Sequence, residues 1–67
     1  MLKKIRTEKG MSQAQLADAS GVNVRMIQYY EQGAKDINKA SGETILKLSI
    51  ALGCRMEDLM NSSENSD

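Results

Sequence analysis

Histidine is missing from the 67 residues altogether, cysteine occurs once, and nine basic side chains are matched by nine acidic ones. A single cysteine excludes an internal disulfide, and Cys54 without any histidine cannot complete a zinc site. The same absence removes the usual base for activating a thiol nucleophile. No run of about 18 apolar residues exists to span a bilayer. Met1-Leu2-Lys3-Lys4 is basic, but polar residues follow where the apolar stretch of a signal peptide belongs, so the expected location is cytoplasmic. No glycine-rich phosphate loop is present, and the adjacent Glu57 and Asp58 diverge by about 100° on a helix instead of converging as a carboxylate dyad. Catalysis is therefore rejected, and no cofactor or metal is expected. The length admits one domain with one small core, near the lower limit for folding without staples.

What the chain does have is concentrated between Ser12 and Gly33. Ser12 is placed to cap a helix through its hydroxyl, and Gln15, three residues on, to return the bond to the Ser12 amide in a capping box. Met11 and Leu16 stand where a hydrophobic staple closes over that box. Leu16 and Ala17 point inward, and Gly21 supplies the positive φ with which a helix ends abruptly. Asn23 caps the next helix, with Val22 and Ile27 as its staple, and Gly33 terminates it. The spacing thus predicts helix, sharp turn, helix.

At about 100° per residue, Ile27, Tyr30 and Glu31 share one side of that second helix, and Arg25, Gln28, Tyr29 and Gln32 share the other. The outer side offers a guanidinium, carboxamides and a phenol with no carboxylate among them, a set suited to base edges and phosphates. A solvated polar face is the alternative for any isolated helix; the caps and turn before this one favour the first reading.

Gln13, Ala17, Gly21, Ile27 and Tyr30 fall at the spacing of the helix-turn-helix in phage repressor and Cro-like regulators of the xenobiotic-response-element type. Ser12-Gln13-Ala14-Gln15-Leu16-Ala17 and Tyr30-Glu31-Gln32-Gly33 are similar to that family's wording. Thr44 to Gly53, followed by Glu57-Asp58-Leu59, resembles its fourth and fifth helices. The resemblance covers about residues 2 to 60 and implies an all-α, compact five-helix lambda-repressor-like DNA-binding domain over 1–60, with the helix-turn-helix at 12–33. It further implies a repressor that reads the major groove of a double-stranded operator with helix 24–32. Base contacts are expected from Val24, Arg25, Gln28 and Tyr29. Phosphate contacts are expected from Gln13, Asn23, Gln32, Lys35 and Lys39. Arg6 lies on the side of the first helix that carries Leu2 and Ile5, and the family pattern makes Arg6 and Glu31 the ion pair between first and third helices. No small-molecule effector is expected, since no sensory segment is visible.

Four departures from the family pattern stand out. Residues 34 to 43 form a longer loop and lack the proline often found there; Asp36 is placed to cap an extra turn and Ser41 the fourth helix. Arg55 occupies a cap position the family fills with serine or threonine, which weakens the fifth helix, although Glu57 and Asp58 suit the positive end of its dipole. Cys54 replaces a small apolar residue and reads as packing. Ile50 stands where a polar residue is usual, outside the inward stripe of Ile45, Leu48 and Leu52; with Leu46 and Cys54 it makes a patch expected to form a homodimer on DNA. Met56, Leu59 and Met60 are expected to close the core. Asn61 to Asp67 is small and polar, expected to be a disordered tail.

Zero net charge sits awkwardly with DNA. Residues 1 to 35 carry six basic and three acidic side chains, however, and residues 36 to 67 the reverse. The positive half holds the motif, as a domain with one DNA-facing side would show. Two rival readings remain at this level: an antitoxin that also regulates its own promoter, and a protein-interaction module that has lost DNA binding.

Overall fold

The computed structural model describes residues 2–60, and every regular element in them is helical: α1 (Leu2–Glu8), α2 (Gln13–Ser20), α3 (Val24–Gln32), a single 3₁₀ turn (Ile37–Lys39), α4 (Gly42–Leu52) and α5 (Met56–Met60). The tail expected at 61–67 lies outside the described residues. None of these helices is long and apolar enough to cross a membrane. The longest has 11 residues, below the length at which an isolated helix holds together in water, so tertiary contact must sustain them all.

Local sequence accounts for the ends. Ser12 Oγ accepts the Gln15 amide at 3.0 Å and Gln15 Oε1 accepts the Ser12 amide at 2.8 Å, completing the capping box. Gly21 leaves α2 at φ 76° with its N–H on the Ala17 carbonyl, a conformation that costs glycine little and other residues more. The turn is then tightened by Ser20, whose hydroxyl accepts the Val22 amide at 3.1 Å. Asn23 Oδ1 takes the Arg25 amide at 2.7 Å and starts α3. Gly33, at φ 80°, ends it. In the long loop Asp36 accepts the Asn38 amide and caps the 3₁₀ turn, and Ser41 accepts the Thr44 amide and caps α4. At α5, Arg55 is not an orphaned cap: Asp58 Oδ2 accepts the Arg55 amide at 3.0 Å, the return half of a capping box.

The core is a single cluster of Leu2, Leu16, Ile27, Ile45, Leu48, Leu52 and Leu59, drawn from all five helices. α2 packs on α3 and α4, α5 on α4 and the 3₁₀ turn, and α1 on α3. Met11, Val22, Met56 and Met60 pack around this centre, as their patterning predicts. Ser49 is 3% exposed and satisfies its hydroxyl on the Leu46 carbonyl, so a small polar residue sits inside α4 without an unpaired donor. Leu46 and Ile50 are left exposed, at 46% and 71%. Cys54 instead packs partly against the core, and burial, aided by the charge of Asp58 and opposed by Lys9, raises its thiol pKa.

Candidate nucleic-acid interface

The orientation of α3 is set by its inner side. Ile27 is completely buried, Tyr30 rests against the core, and the Glu31 side chain is 3% exposed. The opposite side is left for solvent or a ligand. Arg25 and Gln32 are exposed, Val24 is 37% exposed, and Gln28 and Tyr29 are half-buried. The four side chains expected at bases (Val24, Arg25, Gln28, Tyr29) and Gln32 therefore share one helix of nine residues, whose one carboxylate, Glu31, is paired with Arg6. Asn23 adds to the edge: its carbonyl oxygen is occupied by the Arg25 amide, which leaves the side-chain N–H groups as donors.

Behind this surface lies a network around one carboxylate. Arg6 Nε donates to Glu31 Oε2 at 2.7 Å and Arg6 Nη2 to Oε1 at 3.0 Å, a fork-on-fork pair. Arg6 Nη1 donates to the Met11 carbonyl at 2.7 Å, holding the residue before the α2 cap. Gln13 Nε2 donates to Glu31 Oε1 at 2.9 Å. Burial alone works to raise the Glu31 pKa; the hydrogen bonds from Arg6 and Gln13, with the charges of Arg6 and Lys3, outweigh it and hold the carboxyl below its ordinary range. Arg6 is raised chiefly by its hydrogen bond to Glu31. The pair between first and third helices is thus present, and it is joined by a residue placed by sequence only at a phosphate. A contact between positions 18 apart in sequence has no local signature.

At the start of α2 the capping box uses the Gln15 amide, and the Gln13 and Ala14 amides sit in the first turn, where helical geometry gives them no acceptor. These amides, the dipole and Gln13 make an anion-favouring edge next to α3. On the other flank, a cleft of about 390 Å³ separates α3 from the long loop, with Met26 and Tyr30 on one wall and Lys35 and Lys39 on the other. Both lysines are exposed. The expected phosphate donors therefore bracket the expected base readers on two sides. Among the described residues no three His, Cys, Asp or Glu side chains gather as a metal site.

The family model for helix-turn-helix domains, of the Cro and C1 type, matches residues 2–59. No curated protein and no solved structure matches the chain.

Proposed function

The chain belongs to the phage repressor and Cro-like helix-turn-helix family of DNA-binding domains, and from that premise we propose that it is a sequence-specific transcriptional repressor that lays α3 in the major groove. What supports the reading is the outer side of α3, which presents Arg25, Gln28 and Tyr29 while the one carboxylate of the helix, Glu31, is neutralised by Arg6, and Gln13 and the loop lysines flank them. Arg25 takes the lead in base readout, since a bidentate guanidinium contact to guanine is the commonest specific pairing. Val24 offers apolar contact to a thymine methyl. Gln13, Asn23, Gln32, Lys35 and Lys39 hold the backbone and set the register. Selection from a random duplex library tests the proposal: a defined enriched site is expected, and a pool that stays random rejects it.

Within that site the labour divides. Arg25→Ala should lose about 1–3 kcal/mol on the preferred sequence and relax one base pair, whereas Gln13→Ala should weaken all sequences about equally. An unchanged site preference in Arg25→Ala would refute the base-reading role.

Assembly follows from α4. Leu46 and Ile50 lie one turn apart and exposed, with the half-buried Cys54 just beyond the end of α4 at Gly53, and we assign this patch to a two-fold contact that places two copies of α3 on half-sites about 34–36 Å apart. Ile50→Lys should leave the domain folded, shift its mass by light scattering toward monomer, and reduce affinity for a palindrome far more than for a half-site. Unchanged mass together with unchanged palindrome binding would remove the patch from the interface.

A further inference from the structure

Gln13 is the residue through which two parts of the molecule meet. Its side chain extends from the first turn of α2, where it faces the anion-favouring edge, yet its amide nitrogen is 2.9 Å from Glu31 Oε1. The identity of that atom is fixed by chemistry: an ionised carboxylate has no hydrogen to give, so the carboxamide must turn its nitrogen and not its oxygen toward Glu31. One of the two N–H bonds is committed there and the second remains. Glu31 itself cannot swing away, because its two oxygens are clamped by Arg6 at 2.7 and 3.0 Å and its side chain is 3% exposed. Arg6 is in turn tied to the Met11 carbonyl, immediately before the Ser12 cap. The carboxylate is thereby a fixed post against which the Gln13 amide is braced.

Resting on the reading of this surface as a DNA interface, we propose that Glu31 is a positioning residue for DNA binding, holding the Gln13 carboxamide so that its second N–H is aimed at a backbone phosphate beside the free amides of α2. A glutamine that is loose in the free protein loses rotamer freedom when it docks; one already held by Glu31 has lost it on folding, and that part of the binding cost is absent. Glu31 would otherwise be an unwelcome charge near the polyanion, and its neutralisation by Arg6 leaves it able to accept from Gln13 without repelling phosphate at full strength.

The pair variant Arg6→Met with Glu31→Leu removes one positive and one negative charge together, so the net charge is unchanged and the space is refilled by apolar side chains of similar reach. Binding to a mixed-sequence duplex at low salt is measured in four proteins: wild type, the pair variant, Gln13→Ala, and all three changes. Gln13→Ala is expected to weaken binding roughly tenfold in the wild-type background, the size of one charge-assisted hydrogen bond, and to cost clearly less in the pair variant, where the loose side chain gives up rotamer freedom to dock. Arg25→Ala, made in both backgrounds on the enriched site, should cost the same in each, which separates loss of the Gln13 brace from a general tilt of α3. An equal cost of Gln13→Ala in both backgrounds overturns the proposal, as does a pair variant that binds like wild type. Should the pair variant not fold by circular dichroism, the Gln13 side-chain amide resonances of wild type decide: one proton protected from exchange both free and on DNA supports the brace, and protection lost on adding DNA overturns it. Wild type that binds no duplex at any salt refutes the DNA reading itself, an outcome distinct from the others.

Discussion

Arg6→Ala is expected to strip about 3–5 kcal/mol from folding stability, because it leaves the Glu31 carboxylate buried without its counter-charge. For 67 residues at roughly 0.05–0.15 kcal/mol per residue, total stability is about 3–10 kcal/mol, so the loss can unfold much of the population. Glu31→Ala should cost a similar amount, stranding the guanidinium. The double variant should be far less damaged than the sum of the two, since neither charge is then orphaned; denaturant unfolding of all four proteins measures the difference, and a coupling near zero would show that the 2.7 Å contact carries no energy. Acid provides an independent check. The Glu31 pKa is lowered in the folded state, so its contribution is complete above the ordinary carboxylate range and is lost as the pH falls through the lowered value. Wild type should lose stability on acidification over that interval more steeply than the Arg6→Met, Glu31→Leu variant. Identical pH profiles would contradict the assignment.

Salt should dominate the binding energetics. If four to six phosphates are neutralised per domain, the log-log slope of affinity against salt is about −4 to −5, at about −0.9 per phosphate. Raising salt from 50 to 200 mM then weakens binding roughly 250- to 1,000-fold, well beyond the effect of any single side chain considered above. The prediction is demanding because the protein carries no net charge. It requires that the local arrangement of Lys35, Lys39, Arg25 and the α2 amides, not the overall balance, governs the interaction. A protein-interaction module that kept the fold and lost DNA would give a flat response in fluorescence anisotropy with a labelled duplex, and a flat response would exclude the repressor reading. Lys35→Ala and Lys39→Ala should each make the slope shallower by close to one phosphate.

The elements that were legible in sequence are those specified by bonds three or four residues long. Ser12 with Gln15, Asn23 at α3, Asp36 at the extra turn and Ser41 at α4 all act within one turn, and the glycines at 21 and 33 end their helices. The inward stripe Ile45, Leu48, Leu52 follows from the helical period, and all three are buried. The meeting of Arg6 with Glu31 was suggested by facing and by family pattern, because only the crossing of α1 over α3 brings positions 25 apart within 2.7 Å. Nothing local announced Gln13 on Glu31, which depends on the packing of α2 against α3, and the Arg6 guanidinium reaches the Met11 carbonyl five residues on through the turn after α1. The bond from the Arg55 amide to Asp58 Oδ2 is local too, being the second half of a capping box whose first half, a serine or threonine hydroxyl, is missing.

Only Ile27 on α3 is fully buried, and the helix is fastened by that residue, by Tyr30 and by Glu31. Its outward positions contribute little to holding the chain together. On the proposed reading, the residues that choose the target are therefore largely separable from the scaffold that carries them: the exposed Arg25 and Gln32 can be exchanged while the chain keeps its shape, so a lineage of such proteins can acquire new targets without passing through unfolded intermediates.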